Sequence, residues 1–252
     1  VREAGEGMAD GGEEGPTGLV DVGYGMGRRL SAWAVHAFTG SGAVLGFLAL
    51  FAAVDGNAAA CLGWLGVALV VDGVDGTLAR KAEVGTVLPQ VDGSTLDLVI
   101  DYLNYVVVPA VFLYRFGLFP PGLGLVGAGW VLVTSLYCFS RTDMKSGDNF
   151  FVGFPAVWNV VALYLWLLGL DAWVNAAVAV ALGLLTFTDA KFLHPFRVRT
   201  LMPLNLGVTA LWLVTSVALV LMHPETPHWA LWPWLAAGLY YAAVCAWRTL
   251  RG

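Results

Sequence analysis

Charge is scarce in this sequence. Asp, Glu, Lys and Arg together make up 12% of its 252 residues, about half the share found in soluble domains, and that excludes a fold needing a polar shell around a core of this size. Cysteine is scarce as well: the three residues, Cys61, Cys138 and Cys245, each lie in an apolar run. None has CxxC or Cys/His spacing, so neither a disulfide framework nor a thiolate metal site is indicated. No basic excess is available for nucleic acid, the formal net charge being -5. The acidic, Gly-rich first 27 residues lack the basic start and apolar centre of a secretory signal. They read as a flexible tail ahead of a single membrane domain over 28–252, and no repeat with a period of about 20–50 residues divides that domain.

What the sequence has in excess is hydrocarbon, with 58% hydrophobic residues. Stretches able to cross a bilayer, which takes ~20 residues, fall at 32–54, 58–79, 93–114, 122–140, 153–170, 172–189, 204–222 and 230–248. The expected fold is all-α, a polytopic transmembrane bundle of about eight helices. Charge placement tests this layout, because it was drawn from hydropathy alone. Of the 13 Lys and Arg residues, all but Arg115 fall on one side, and an even number of crossings then places both termini in the cytoplasm.

Against that background "VDGVDGTLARKAEVGTVLPQVDGSTLDLVIDY" (71–102) stands out for its aspartates at 72, 75, 92, 97 and 101. Too few apolar residues precede Asp72 for the second run to cross before it, so that helix must continue through "DGVDGTLA" and carry its carboxylates below the surface. Asp72 and Asp75 are spaced i, i+3, whereas Asp97 and Asp101 are spaced i, i+4, so each pair shares a helix face. At 1.5 Å per residue, Asp72 lies roughly 12 Å from Arg80 and Asp101 roughly 12 Å from Gly93, on antiparallel helices that reach matching depth.

An aspartate at mid-membrane costs about 2.5–3.5 kcal/mol on insertion scales, and four together repel, so a cation is expected among them. Oxygen donors without His or Cys suit Mg²⁺, Mn²⁺ or Ca²⁺. Four carboxylates balance two such ions, an arrangement suited to displacement at phosphorus. Gly76 and Gly93 would let a ligand approach the helix backbone, or serve as helix contacts. Arg80 offers a planar fork for phosphate, or acts as an orientation signal. Asp92 reads as a helix cap or loop group rather than a ligand.

These residues resemble the signature of the CDP-alcohol phosphatidyltransferase family, D-x-x-D-G-x-x-A-R followed by G-x-x-x-D-x-x-x-D. Here it comprises Asp72, Asp75, Gly76, Ala79 and Arg80, then Gly93, Asp97 and Asp101. Twelve residues separate Arg80 from Gly93, a longer spacer than is common in the family. With "AVHAFTGSGAVLG", "KSGDNFFVGFPAVWN" and "HPFRVR", it is similar to the bacterial branch that makes phosphatidylcholine. The resemblance implies transfer of the phosphatidyl group from CDP-diacylglycerol to choline with release of CMP, in the bacterial inner membrane, with the site facing the cytoplasm. It implies that Asp72, Asp75, Asp97 and Asp101 hold two divalent ions, Mn²⁺ or Mg²⁺, and that Asp101 is the base. Asp72, Gly76, Arg80 and Gly93 would line the CDP site, and a homodimer is usual in the family.

Choline is a cation without an N–H donor, so its pocket should present aromatic faces. Tyr102, Tyr105, Tyr137 and Trp158 are the candidates, with an interfacial aromatic belt as the other reading for each. Arg141 and Lys145 read as phosphate contacts or as positive-inside anchors. His36 reads as a hydrogen-bonded buried histidine, and His194, Arg197 and Arg199 as interfacial groups near lipid headgroups. Two other functions remain open. One is the same chemistry with inositol phosphate, glycerol phosphate or serine as acceptor; the other is cation or proton transport along membrane carboxylates.

Overall fold

The structure, a computed structural model, describes residues 24–251. Most of the expected tail lies outside the described residues, and helix has already begun at Met26, before the expected domain start at residue 28. Helices α1 (Met26–Val54) and α2 (Ala58–Lys81) form an antiparallel hairpin across a tight turn, where the Asn57 side chain accepts the Ala60 N–H at 3.0 Å. The short α3 (Val84–Val87) follows. Asp92 then caps α4 (Gly93–Tyr102), accepting from the N–H groups of Ser94 and Thr95 and from the Thr95 hydroxyl. The cap reading of Asp92 therefore holds.

After α4 the helix continues through a π turn (Leu103–Val107) into α5 (Val108–Arg115). Pro109 has no N–H to return to the carbonyl four residues back, which gives the irregular turn a local cause. The remaining helices are α6 (Gly124–Ser140), α7 (Trp158–Leu168), α8 (Ala172–Leu185), α9 (Met202–Met222) and α10 (His228–Leu250). Five segments are long and apolar enough to cross a membrane: α1, α2, 93–115, α9 and α10. Helices α6, α7 and α8 have 17, 11 and 14 residues, shorter than the runs 122–140, 153–170 and 172–189.

The shortening of α7 and α8 has a physical reason. Residues 153–157 and 186–190 leave the helical path, with Gly153 and Ala156 at φ of 79° and 55°. Their backbone groups pair across the gap instead, Gly153 N–H with the Ala190 carbonyl at 2.8 Å and Phe154 N–H with that of Leu185 at 3.2 Å. This continues an antiparallel ribbon of β1 (Phe151–Val152) and β2 (Lys191–Phe192), which an all-α expectation did not contain.

Lipid tails are as apolar as leucine, so burial alone does not drive these helices together, and close packing and hydrogen bonds must. Gly42 and Gly46, one turn apart on α1, bring it against α4: a Cβ on Gly42 would lie 2.8 Å from Ile100, and one on Gly46 would collide with Asn104. Asn104 occupies that contact and donates to the Gly42 carbonyl at 3.0 Å. In the core, the buried indole of Trp158 donates to Ser135 and that of Trp234 to Ser216, at 2.8 and 2.9 Å. Each large apolar side chain thus has its one polar atom satisfied.

Candidate active site

Helices α2 and α4 turn their acidic faces toward each other. One carboxylate oxygen from each of Asp72, Asp97 and Asp101 lies within 4.8 Å of the others. Asp75, only 6% exposed, stands outside that triad but lines the same pocket, with Thr39 and Gly42 of α1 on its wall. The expected convergence of four carboxylates is thus met by three at ligand distance and a fourth alongside. Ile100, Asn104, Tyr105 and Asn159 complete much of the lining.

The π turn contributes directly to this pocket. It carries Asn104 and Tyr105, which lie three and four residues after Asp101 and so share its helix face, and both are buried beside the carboxylates. The Tyr105 hydroxyl donates to Asp72 Oδ2 at 2.6 Å. Asn104 Oδ1 is buried without a hydrogen-bond partner among the described residues.

This donor set fits a hard divalent cation. It consists of oxygens, and three anionic ones lie within reach of one point. Like charges held this close in a low-dielectric setting need a counter-charge, which a divalent ion supplies.

Gly76 and Arg80 lie on the signature side of α2, where a Cβ on Gly76 would meet Arg80 Nη1 at 3.4 Å and Arg197 Nη2 at 3.9 Å. Two guanidinium groups therefore face this glycine. Gly93 faces α1 instead, and its Cβ would contact the His36 ring at 3.5 Å. His36 is buried, but its Nε2 has no partner among the described residues, contrary to the hydrogen-bonded histidine expected.

Of the four aromatic candidates only Tyr105 lines the aspartate pocket. Tyr102 points to α6, donating to the Leu132 carbonyl at 3.0 Å and packing edge-on against Phe139. Tyr137 is exposed and lies against Phe187. Trp158 is fully buried in the core against Phe154. The structure does not bring these three to the pocket: α6 engages the polar atoms of Tyr102 and Trp158, and Tyr137 lies exposed on another face.

Two basic residues outside the signature come close instead. Lys145 and Arg197 both act electrostatically on Asp72 and Asp97, and they belong to the segments bracketing β1 and β2. Burial draws the Lys145 ammonium below its ordinary value, with Arg197 acting in the same direction and Asp97, Asp101 and Asp72 opposing. His194 stacks on Phe151 at 5.1 Å and 6°, with Lys145 over the same ring. Burial, then Arg197 and Lys145, bring its imidazole down to about 4. Arg141 goes elsewhere, pairing with Asp143 at 2.8 Å and reaching the carbonyls of Val152 and Thr186. A signal for Lys145 and Arg197 was present in the unusual polar density of "SRTDMKSGDNFF" and the basic "HPFRVR", but nothing local to either tied it to the aspartates.

No family model matches the chain. The chain is 54% identical over 224 residues to phosphatidylcholine synthase of Pseudomonas aeruginosa, covering 89% of this chain and 94% of that one. It is 43% identical to the enzyme of that name from Agrobacterium fabrum over 84% and 88% of the two chains. It is 33% identical to that of Borreliella burgdorferi over 71% and 76%. Similarity of this degree, over most of the length of chains that share one name, places the protein in the phosphatidylcholine synthase family.

Proposed function

We propose that the protein transfers the phosphatidyl group of CDP-diacylglycerol to choline, forming phosphatidylcholine and CMP, in the aspartate pocket between α2 and α4. The observation that carries this reading is the meeting of Asp72, Asp97 and Asp101 within 4.8 Å in a chain so similar to phosphatidylcholine synthases. Asp72, Asp75, Asp97 and Asp101 hold two divalent ions, Mn²⁺ or Mg²⁺. When bound, such ions neutralise pyrophosphate oxygens and orient them for displacement at phosphorus.

The chain's own groups then have distinct tasks. Asp101 accepts the proton of the choline hydroxyl as its oxygen bonds to the phosphatidyl phosphorus and the bond from that phosphorus to the CMP oxygen breaks. Tyr105 fixes the orientation of Asp72 through its hydroxyl and presents an apolar ring to the same space. Asp72, Gly76, Arg80 and Gly93 line the CDP moiety, with Gly76 leaving room for the Arg80 guanidinium that pairs with phosphate. The membrane domain spans 28–252 and crosses the inner membrane eight times, with both termini and the pocket on the cytoplasmic side. The one-sided placement of all Lys and Arg residues but Arg115 supports that layout.

Labelled choline, ethanolamine, serine and glycerol phosphate offered side by side with CDP-diacylglycerol test the assignment. Choline alone is expected to enter lipid, only with Mn²⁺ or Mg²⁺; full activity in chelator contradicts the reading. Asp101→Asn is expected to lower kcat by about 10²–10⁴ while retaining CDP-lipid binding, and normal turnover by that variant removes Asp101 as the base.

A further inference from the structure

Beside the aspartate pocket an open cleft of about 420 Å³ is lined by Arg80, Asn149, Phe196, Arg197, Arg199 and Met202. Three guanidinium groups share it, and none of them forms a salt bridge among the described residues. Only Arg80 belongs to the signature. Arg197 links the two spaces, since its Nη2 faces Gly76, the residue after Asp75.

Three guanidinium groups lining one open cleft give it a positive potential that favours an anion. Choline, a cation, is repelled there, so the cleft does not serve the acceptor. Guanidinium forks match phosphate oxygens in pairs, while Phe196 and Met202 offer an apolar flank on the same wall. Phosphate next to hydrocarbon is the chemistry of a phospholipid.

We propose that Arg197 and Arg199, together with Arg80, hold the phosphate of a phospholipid in this cleft and so position it beside the carboxylates. The proposal rests on the reading of the protein as a phospholipid synthase. Two sources share this chemistry: the pyrophosphate of CDP-diacylglycerol and the headgroup of a bulk anionic lipid such as phosphatidylglycerol.

Purified full-length protein in mixed micelles separates these sources. Initial rates for wild type, Arg197→Gln, Arg199→Gln and Arg197→Lys are measured against CDP-diacylglycerol and choline, with and without phosphatidylglycerol, alongside direct binding of each lipid. Loss of a charged hydrogen bond is expected to raise the CDP-diacylglycerol KM about tenfold in Arg197→Gln, leave the choline KM unchanged, and be partly rescued in Arg197→Lys. Loss of a saturable response to phosphatidylglycerol with the donor KM unchanged supports the proposal with the bulk lipid as source. Wild-type donor KM, phosphatidylglycerol response and lipid binding in properly melting Gln variants overturn it, as does a fall in kcat alone. Should wild type make no phosphatidylcholine yet lose lipid binding on substitution, the cleft stands and the assigned reaction falls.

Discussion

Tyr105 illustrates how one side chain can serve two partners. Its ring packs in the core while its hydroxyl donates to Asp72 at 2.6 Å, so the core fixes one oxygen of a carboxylate that meets Asp97 and Asp101. A hydrogen bond to a charged group contributes ~1.5–3 kcal/mol, so Tyr105→Phe is expected to lower kcat/KM by roughly tenfold or more. Tyr102→Phe, which loses only a bond to the Leu132 carbonyl, should stay near wild type. Steady-state kinetics of the two variants decide it, and equal losses would mean that the Tyr105 hydroxyl has no special part. The sequence made both tyrosines equal candidates. What separates them is local spacing: Tyr105 lies four residues after Asp101, on the carboxylate face, whereas Tyr102 lies next to Asp101 and is turned about 100° away round the helix.

At the scale of elements, the site depends on α1, although α1 carries none of the carboxylates. Its Gly42 and Gly46 admit Ile100 and Asn104, setting the distance at which α4 meets α2. Gly46→Leu is expected to lower the melting temperature in detergent and abolish activity, because the new side chain meets Asn104 and Leu103. An unchanged melting temperature would show that α1 does not set that distance. The segment before β1 is tied down differently. Arg248 of α10 donates to Asp148 at 2.7 Å, and Ser146 donates to the same carboxyl at 2.6 Å.

Those bonds from Arg248 and then Ser146 hold the Asp148 carboxyl below its usual value. The stabilisation is therefore complete above the ordinary carboxylate value near 4 and is lost as pH falls through the lowered one. Arg248→Gln should cost less than about 1 kcal/mol for this partly exposed pair, a difference that disappears in acid. Thermal melts at neutral and acidic pH test the sign; a difference that grows in acid would contradict it. The signature itself was legible because i, i+3 and i, i+4 spacings are local geometry. Lys145 and Arg197 were not, since the β1–β2 ribbon that brings their segments together depends on pairing between distant residues.

For the whole molecule, hydropathy pointed to a mostly helical membrane protein, but it gave three runs longer than their helices, and five segments are long and apolar enough to cross a membrane. An apolar run tells where lipid or core can be met, not where the backbone turns away to pair with another loop, as it does at 153–157 and 186–190. The claim on which the rest depends is that Asp72, Asp97 and Asp101 together bind divalent cation. Electron paramagnetic resonance of Mn²⁺ titrated into the detergent-purified protein measures this without reference to turnover. Saturable binding that is lost in Asp72→Ala, Asp97→Ala and Asp101→Ala is the predicted result, whereas free Mn²⁺ signal at every ratio with wild type, or undiminished binding in those variants, would contradict the account.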